Sequence, residues 1–278
     1  MAAVLSRREA FFLPGGATAE GRFCLLTRST TPSRGTLIFV HPFAEEMNKS
    51  RRMVALAAEA FAAAGWSSLQ LDLTGCGDSG GDFGDASWAA WTDDLRDAHA
   101  WASANLPGRV AAWGLRGGAL LIADWLRASG AMLPLLLWQP VGNGRQHLNQ
   151  FLRLKAAGDM LAEADAKASM EAVRASLRAG EAVDVAGYRL AAALANGMEA
   201  STLALPADFD APVAAFEVGP PERRELSPAL RMLLARWSEA GVPVRSEAVA
   251  GPAFWQTQEI ELCPALIAAS VAALEDFS

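Results

Sequence analysis

The amino-acid sequence predicts an α/β protein with a mostly parallel β-sheet, helices on both faces and one helical insertion. Apolar strand-like runs alternate with helix-like segments along most of the 278 residues, which is the pattern of βαβ units. Residues 35–41 are apolar throughout, as expected for a strand buried on both faces. The alternation stops between residues 142 and 210, where alanine-rich helical periodicity replaces it. These three observations define the fold class.

The first half of the chain follows this alternation in order. Ser50 is a residue type that caps helices and Gly65 one that ends them, so a helix is expected over residues 51–64. An opening hairpin of two strands, near residues 11–13 and 22–27, precedes the buried strand. The remaining segments are a strand at 66–71, a glycine-rich loop at 72–85, a helix at 87–105, a strand at 109–115, a helix at 118–128 and a strand at 133–139.

The second half predicts an insertion followed by a return to alternation. Residues 142–210 show no strand pattern and are expected to form an all-helical lid. The segments after it are a strand at 212–218, a helix at 228–240, a strand at 242–249 and a final helix at 263–274. We therefore predict a core of residues 1–141 and 211–278, with a lid of residues 142–210.

Charge and composition exclude several classes of partner. The formal net charge is −7, and an acidic surface repels nucleic acid and anionic lipid surfaces. The first ten residues carry charges with no apolar stretch behind them, which argues against a secretion signal. Apolar runs stay below the roughly 18 residues that span a bilayer. We expect a cytoplasmic protein with no membrane span.

The sequence contains no pattern typical of a metal or cofactor site. The three cysteines lie far apart without a Cys-x-x-Cys pair, and His41, His99 and His147 are scattered, so neither a metal nor a disulfide framework is expected. The glycine-rich loop contains a G-x-G-x-x-G spacing. A dinucleotide site requires a helix to start within it, whereas the loop continues here. No cofactor is expected.

The most informative stretch is Gly114-Leu115-Arg116-Gly117-Gly118, which lies between a buried strand and a helix. Glycines two before and two after a central residue are the spacing of the nucleophile elbow of α/β-hydrolases. Arg116 occupies the position of the nucleophilic serine. Because a guanidinium stays protonated, it is no nucleophile.

The other members of a catalytic triad are sought in the order acid and then histidine. Glu222 or Glu225 follows the strand at 212–218 and occupies the acid position. No histidine follows His147, and Phe254 or Trp255 stands at the histidine position. Loss of nucleophile and base costs about four to six orders of magnitude in turnover, so ordinary serine-hydrolase chemistry is not expected.

Several segments together resemble the exosortase A system-associated hydrolase 2 family. They are residues 41–52 (HPFAEEMNKSRR), 114–118 (GLRGG), 146–153 (QHLNQFLR), 185–188 (VAGY) and 254–256 (FWQ). The resemblance covers nearly the whole chain. It implies an α/β-hydrolase fold and a bacterial setting of exopolysaccharide synthesis and sorting of PEP-CTERM proteins. It implies a hydrolase by fold and does not supply a serine.

Two interpretations of Arg116 stay open. The guanidinium, together with the amide of Gly117 at a helix N-terminus, forms a site for a phosphate or carboxylate. Alternatively, it is neutralised by an internal carboxylate such as Glu45, Glu46 or Glu217. A closed, buried, two-point ion pair would favour the second interpretation.

Further candidates come from the segments that converge on the elbow. His41 is either a displaced base or a histidine that holds its loop. Pro42 lacks an N–H, so Phe43 would have to donate to an oxyanion. The predicted pocket residues are His41, Phe43, Glu45, Glu46, Asn48, Arg116, Gly117, Gln139, His147, Glu217 and Trp255.

Two functions of different classes fit these residues. One is a hydrolase of esters or thioesters in which Arg116 stabilises charge and a carboxylate or His41 activates water. The other is a pseudo-hydrolase, a scaffold or a protein that binds an anionic or lipid-like small molecule. The amphipathic lid favours an apolar or lipid-like ligand; alternatively, it is a helical patch that packs on the domain or on a second subunit. A homodimer and a protein partner of the same pathway are both possible partners.

Overall fold

The computed structural model describes residues 6–16, 18, 20–161, 166–223 and 225–277. An eight-stranded sheet lies at its centre, in the order β1-β2-β4-β3-β5-β6-β9-β10. Its strands are β1 (Arg8–Leu13), β2 (Arg22–Thr27), β3 (Gly35–Val40), β4 (Trp66–Leu71), β5 (Arg109–Leu115), β6 (Leu135–Trp138), β9 (Val213–Gly219) and β10 (Val244–Ala250). A separate hairpin consists of β7 (Val183–Val185) and β8 (Tyr188–Leu190).

Within the eight-stranded sheet, six strands run parallel to one another, namely β3, β4, β5, β6, β9 and β10. The pairs β1–β2 and β2–β4 are antiparallel, as is the separate pair β7–β8. The helices are α1 (Glu45–Ala63), α2 (Trp88–Asn105), α3 (Gly118–Ser129), α4 (Gly144–Leu161), α5 (Ala166–Arg178), α6 (Ala192–Ala200), α7 (Pro228–Glu239) and α8 (Pro264–Ala273). The predicted α/β class, with a mostly parallel sheet, is confirmed.

Each face of the sheet has its own apolar core. Helices α1 and α8 cover one face, where Phe61 and Leu266 pack on the buried Trp113 and Trp138. Helices α2, α3 and α7 contribute to the core of the other face. Burial of side chains of this size stabilises the fold by about 1.5–3 kcal/mol each. Trp138 also donates its Nε1–H to Ser270 Oγ at 2.8 Å, which satisfies a polar group inside the core.

Three residues in the turns that follow strands have backbone conformations that side chains rarely adopt. Ala44, Arg116 and Gln139 follow β3, β5 and β6 and have φ values of 51°, 54° and 44°. Such residues cost about 1–3 kcal/mol each and concentrate at functional sites. The close approach of β3 to α3 also requires Gly118, because a Cβ there would lie 2.3 Å from the carbonyl oxygen of Val40.

The predicted start of the first helix at residue 51 is wrong. Helix α1 begins at Glu45, and Ser50 lies inside it, donating its hydroxyl to the carbonyl of Glu46. Serine can bond the carbonyl four residues earlier as well as cap a helix. The two acidic residues of the first turn favour the earlier start, since they interact with the positive end of the helix dipole.

The expectation of an all-helical insertion is also wrong, because β7 and β8 lie within it. Ala186 and Gly187 form the two-residue turn between these strands, with φ values of 49° and 85°. Both values are positive, as a type I′ hairpin turn requires. The strands are too short to give an alternating pattern in the sequence.

The segment between β6 and β9 otherwise contains α4, α5 and α6. Residues 162–165 of the predicted lid lie outside the described residues. The division of the chain into a core and a lid stays a prediction.

The positive φ of Arg116 predicts that a glycine at this position gives a more stable protein than an alanine. Arg116→Gly should be more stable than Arg116→Ala by about 1 kcal/mol, because only glycine adopts φ 54° without strain. Both variants lack the guanidinium, so urea unfolding of the pair isolates the backbone contribution. Equal stability, or a more stable alanine variant, would contradict the strained turn.

Candidate functional site

The elbow is built by the direct passage of β5 into α3. Arg116 stands at the turn, where its N–H donates to the carbonyl of Trp138 at 3.0 Å and its own carbonyl accepts from Ala119 at 3.1 Å. These bonds tie the turn to β6 on one side and to the first turn of α3 on the other. The side chain of Arg116 is thereby directed to the carboxyl ends of the parallel strands.

A cavity of about 210 Å³ lies above the elbow. It is bounded by the start of α1, the start of α4 and the loop after β10. Its lining combines charged, polar and aromatic side chains, namely Phe43, Glu45, Glu46, Lys49, Arg116, His147, Gln150, Phe151, Leu154 and Gln256. We call it the elbow cavity.

Arg116 makes three side-chain contacts, with Glu46 and Gln150 in the cavity lining and with Trp255 beside it. Its Nε donates to Glu46 Oε1 at 3.1 Å, its Nη2 lies 3.4 Å from Gln150 Oε1, and its guanidinium carbon lies 5.6 Å from the centre of the Trp255 ring. Among the described residues, Glu46 receives one hydrogen bond from the guanidinium. The ion pair is therefore not the closed two-point arrangement, and the outer edge of the guanidinium lines the cavity.

Glu46 is a buried carboxyl, and one of its two oxygens accepts no hydrogen bond from the described residues. Burial raises its pKa from the usual 4.5 to about 7, against the opposing charge of Arg116. Its Oε2 is buried and has no hydrogen-bond partner among the described residues. Near neutral pH, Glu46 is therefore present in both protonation states, a property shared by many groups that exchange protons.

His147, in the first turns of α4, faces Glu46 across the cavity. Its Nε2 lies 4.0 Å from Glu46 Oε2. Burial, and then the charge of Arg116, lowers its pKa to about 3, so the ring is neutral at physiological pH. Neither ring nitrogen makes a hydrogen bond of normal geometry within the described part of the chain, although the nearby side chain of Gln150 opposes the lowering of the pKa of His147.

The His147 ring also lies directly over the elbow. A Cβ placed on Gly117 would lie 3.0 Å from His147 Nε2. The imidazole therefore approaches the elbow from α4, and not from the loop after the last strand, as a triad histidine would. The absent side chain at Gly117 is what makes room for it.

His41 is buried away from this cavity. Its Nε2 accepts from the N–H of Leu73 at 3.3 Å, which assigns the proton to Nδ1, and Nδ1 then donates to the carbonyl of Pro42 at 2.8 Å. Both nitrogens are thus occupied by backbone groups. His41 holds the loop after β3, while Phe43 from that loop packs against Phe151 and His147.

The residues at the positions expected for the catalytic acid and histidine do not line the elbow cavity. Glu222 is exposed. Glu217 is buried at the end of β9, where it pairs with Arg223 at 2.7 Å and accepts from the N–H of Ser227. Phe254 is fully buried and its ring contacts those of Trp138 and Trp255.

Two further predicted residues lie beside the cavity and not in it. Asn48 is exposed on the other side of α1, where its side-chain oxygen lies 3.4 Å from Arg51 Nε. Gln139 follows β6 and accepts from the N–H of Val218 at 2.7 Å, which joins the ends of β6 and β9.

Five residues of the elbow cavity were not among the predicted pocket residues. Three of them share a face of α4 with His147, at spacings of three, four and seven residues, which is the signature of one helix face. The five are Lys49, Gln150, Phe151, Leu154 and Gln256. The spacing along α4 was the signal that would have identified Gln150, Phe151 and Leu154.

The described residues contain no group of three or more histidine, cysteine and acidic side chains placed to hold a metal. Cys24, Cys76 and Cys263 are free and buried. Within the same residues, no helix combines the length and the apolar character needed to cross a membrane.

Comparison with solved structures assigns the fold. Est1E from Butyrivibrio proteoclasticus, with ferulic acid bound, is similar at a TM-score of 0.60 and 14% identity, over 92% of this chain and 95% of its own. An α/β serine hydrolase homologue from Coxiella burnetii is similar at 0.53 and 14%, over 97% of each chain. A serine hydrolase without a lid from Xanthomonas campestris reaches 0.54 and 16%, over 97% and 93%.

The chain therefore has the α/β-hydrolase fold. No protein-family model matches it, and no curated protein does. Identities of this size carry the fold and leave the chemistry to be argued from the residues of the cavity.

Glu46 makes stability depend on pH in a predictable direction. A carboxyl whose pKa is higher in the folded chain stabilises the fold below pH 4.5 and loses that contribution as the pH rises towards 7. His147 acts oppositely, because its pKa is lowered on folding. His147 is present in both the wild type and Glu46→Gln, so its contribution cancels in the difference between their free energies of unfolding.

We expect the free energy of unfolding of the wild type, relative to Glu46→Gln, to fall by about 3 kcal/mol between pH 4.5 and pH 7. Urea unfolding across this range measures the difference. Exposed Glu239→Gln on α7 is the control and should track the wild type. A difference that does not change with pH would show that burial does not raise the pKa of Glu46.

Proposed function

We propose that the elbow cavity binds a small molecule through an anionic group, a carboxylate or phosphate, and that the chain is a pseudo-hydrolase. The observation that carries this is Arg116 at the nucleophile position, with the outer edge of its guanidinium in the cavity and a single hydrogen bond to Glu46. An arginine in a closed two-point ion pair would turn that edge towards the carboxylate.

Charge and shape support an anionic ligand with an apolar part. The cavity lining holds two cations, Arg116 and Lys49, and two carboxyls, Glu45 and Glu46, of which Glu46 is partly protonated near neutral pH. Lys49 Nζ donates to the carbonyl of Gln256 at 3.3 Å. The N-terminus of α3 adds the positive end of a helix dipole. Phe43, Phe151 and Leu154 provide apolar walls, consistent with a lipid-like or aromatic body.

The same residues argue against serine-hydrolase turnover. The chain has no serine at the elbow and no histidine after His147, and the buried Phe254 fills the expected histidine position with an apolar ring. An arginine supplies charge and no nucleophile. The triad is thus degenerate in two of its three positions.

A second candidate function rests on Glu46. A buried carboxyl with a pKa of about 7 is suited to act as a general base at neutral pH. In this alternative, Glu46 takes a proton from water, and the water oxygen attacks the carbonyl carbon of an ester or thioester. Arg116 and the Gly117 amide stabilise the oxyanion, and the departing alcohol or thiol recovers the proton.

The biological setting belongs to the same proposal. The resemblance to the exosortase A system-associated hydrolase 2 family supports a role in bacterial exopolysaccharide synthesis or PEP-CTERM protein sorting. Composition and helical periodicity, and not the resemblance, support a cytoplasmic location and a lid formed by residues 142–210. That lid packs over the cavity, against a second copy of the chain, or against a protein of the same pathway.

Anion binding predicts a specific loss in Arg116→Gln. Calorimetric titration with phosphate and with ferulate, the ligand of Est1E, should give dissociation constants at least about tenfold weaker than those of the wild type, because a charge-assisted hydrogen bond is lost. Arg109→Gln is the matched control, since exposed Arg109 lies at the opposite end of β5. Unchanged affinity in Arg116→Gln would exclude the proposed site.

Catalysis is tested separately with nitrophenyl esters, acyl thioesters and a fluorophosphonate probe. The proposal expects no labelling and no turnover above that of Glu46→Gln. Ester or thioester hydrolysis that is lost in Glu46→Gln and kept in Glu239→Gln would establish the second candidate and overturn the pseudo-hydrolase.

A further inference from the structure

We infer that the ligand of the elbow cavity carries a hydroxyl group close to its anionic group, and that this hydroxyl binds between Glu46 Oε2 and His147 Nε2. This inference rests on the proposed anion site and names the class of ligand, a hydroxylated carboxylate or phosphate. It uses a pair of atoms that the anion site itself leaves without a role.

The first support is the pairing of two unsatisfied atoms. Glu46 Oε2 and His147 Nε2 are both buried and lack hydrogen-bond partners among the described residues. The exposed fractions of these side chains are 12% and 5%. A buried polar atom without a partner destabilises the folded chain, so two such atoms that face one cavity indicate a position that a ligand atom fills.

The second support is the separation of the two atoms, which is 4.0 Å. This is too long for a hydrogen bond between them. One oxygen atom placed at a normal distance of about 2.8 Å from both fits between them, with an angle of roughly 90° at that oxygen. The position therefore holds a single oxygen, as in a hydroxyl group or the water that the hydroxyl displaces.

The third support is the hydrogen-bond donor and acceptor capacity of Glu46 and His147. Glu46 changes protonation near neutral pH, while His147 stays neutral with one donor and one acceptor nitrogen. A hydroxyl donates to one partner and accepts from the other, so it fits whichever partner carries the proton. An ammonium group only donates, and it cannot accept from a protonated Glu46 or from a protonated Nε2.

The location of the pair also fixes where the hydroxyl lies in the ligand. Glu46 Oε1 holds Arg116 Nε at 3.1 Å, and Oε2 belongs to the same carboxyl. The hydroxyl position and the cation are therefore next to each other. A hydroxyl on the first or second carbon from the anionic group satisfies this placement, with the rest of the ligand against Phe43 and Phe151.

The test compares three probes that differ in one group: phenyllactate in both enantiomers, phenylpropionate, which lacks the hydroxyl, and phenylalanine, in which an ammonium replaces it. Calorimetry at pH 7 on the wild-type chain should show one enantiomer of phenyllactate binding at least about tenfold more tightly than the other two probes. β-Hydroxy-phenylpropionate tests the second carbon in the same way.

Two variants distinguish this inference from the anion site. His147→Phe keeps a ring and removes one of the two hydrogen-bond partners of the hydroxyl, so its preference for phenyllactate over phenylpropionate should be smaller than that of the wild type. His99→Phe is the matched control, since His99 packs against Trp125 on α3, outside the elbow cavity, and it should keep the preference. Thermal unfolding of both variants confirms that they are folded.

Equal binding of phenyllactate and phenylpropionate by the wild type would overturn the hydroxyl inference, and so would a preference that is undiminished in His147→Phe. Tighter binding of phenylalanine would overturn it in favour of an ammonium. If the probes bind and Arg116→Gln weakens all of them equally, the anion site stands in each of these cases. If Arg116→Gln has no effect, the proposed function itself fails.

Discussion

The hydrogen bond from Arg116 Nε to Glu46 Oε1 is the interaction on which the elbow cavity depends. It joins the turn after β5 to the first turn of α1, two segments separated by 70 residues. Because the bond uses Nε, the outer edge of the guanidinium faces the cavity. Because it uses one carboxyl oxygen, the other is left for His147 and a ligand. This one hydrogen bond therefore leaves both a donor, the outer edge of the guanidinium, and an acceptor, Glu46 Oε2, available to a ligand.

The buried polar and charged groups of the elbow cavity reduce the stability of the folded chain and are suited to bind a ligand. A buried ion pair seldom stabilises a fold more than apolar residues of the same size, since desolvation offsets the attraction. Glu46 shows this cost directly, because burial raises its pKa to about 7 even beside Arg116. The unpartnered nitrogens of His147 and the positive φ values at three strand ends add to it. A ligand that satisfies these groups recovers part of that free energy.

Local pattern was enough to predict most of the fold. The run of residues 35–41, the glycines around Arg116 and the resumed alternation near residue 212 each report on neighbouring residues in the chain. The start of α1 was missed because Ser50 is compatible with two roles, and β7–β8 because its strands have only three residues each. The Ala186–Gly187 turn differs from the Asn-Gly and Asp-Gly pairs that usually announce such hairpins.

The site was less predictable, because it depends on how distant segments meet. The sequence offered Glu45, Glu46 and Glu217 as partners of Arg116, and only the packing of α1 against the elbow selects Glu46. Glu217 turns instead to Arg223. The position of His147 over Gly117 depends on the angle of α4, which no local pattern encodes.

The central claim is that the guanidinium of Arg116 receives the anionic group of a ligand, and nitrogen NMR of arginine side chains measures this most directly. On titration with phenyllactate, the Arg116 side-chain signals, assigned with Arg116→Gln, should shift saturably with the dissociation constant found by calorimetry. Binding that leaves these signals unmoved while others shift would place the ligand elsewhere and contradict the account.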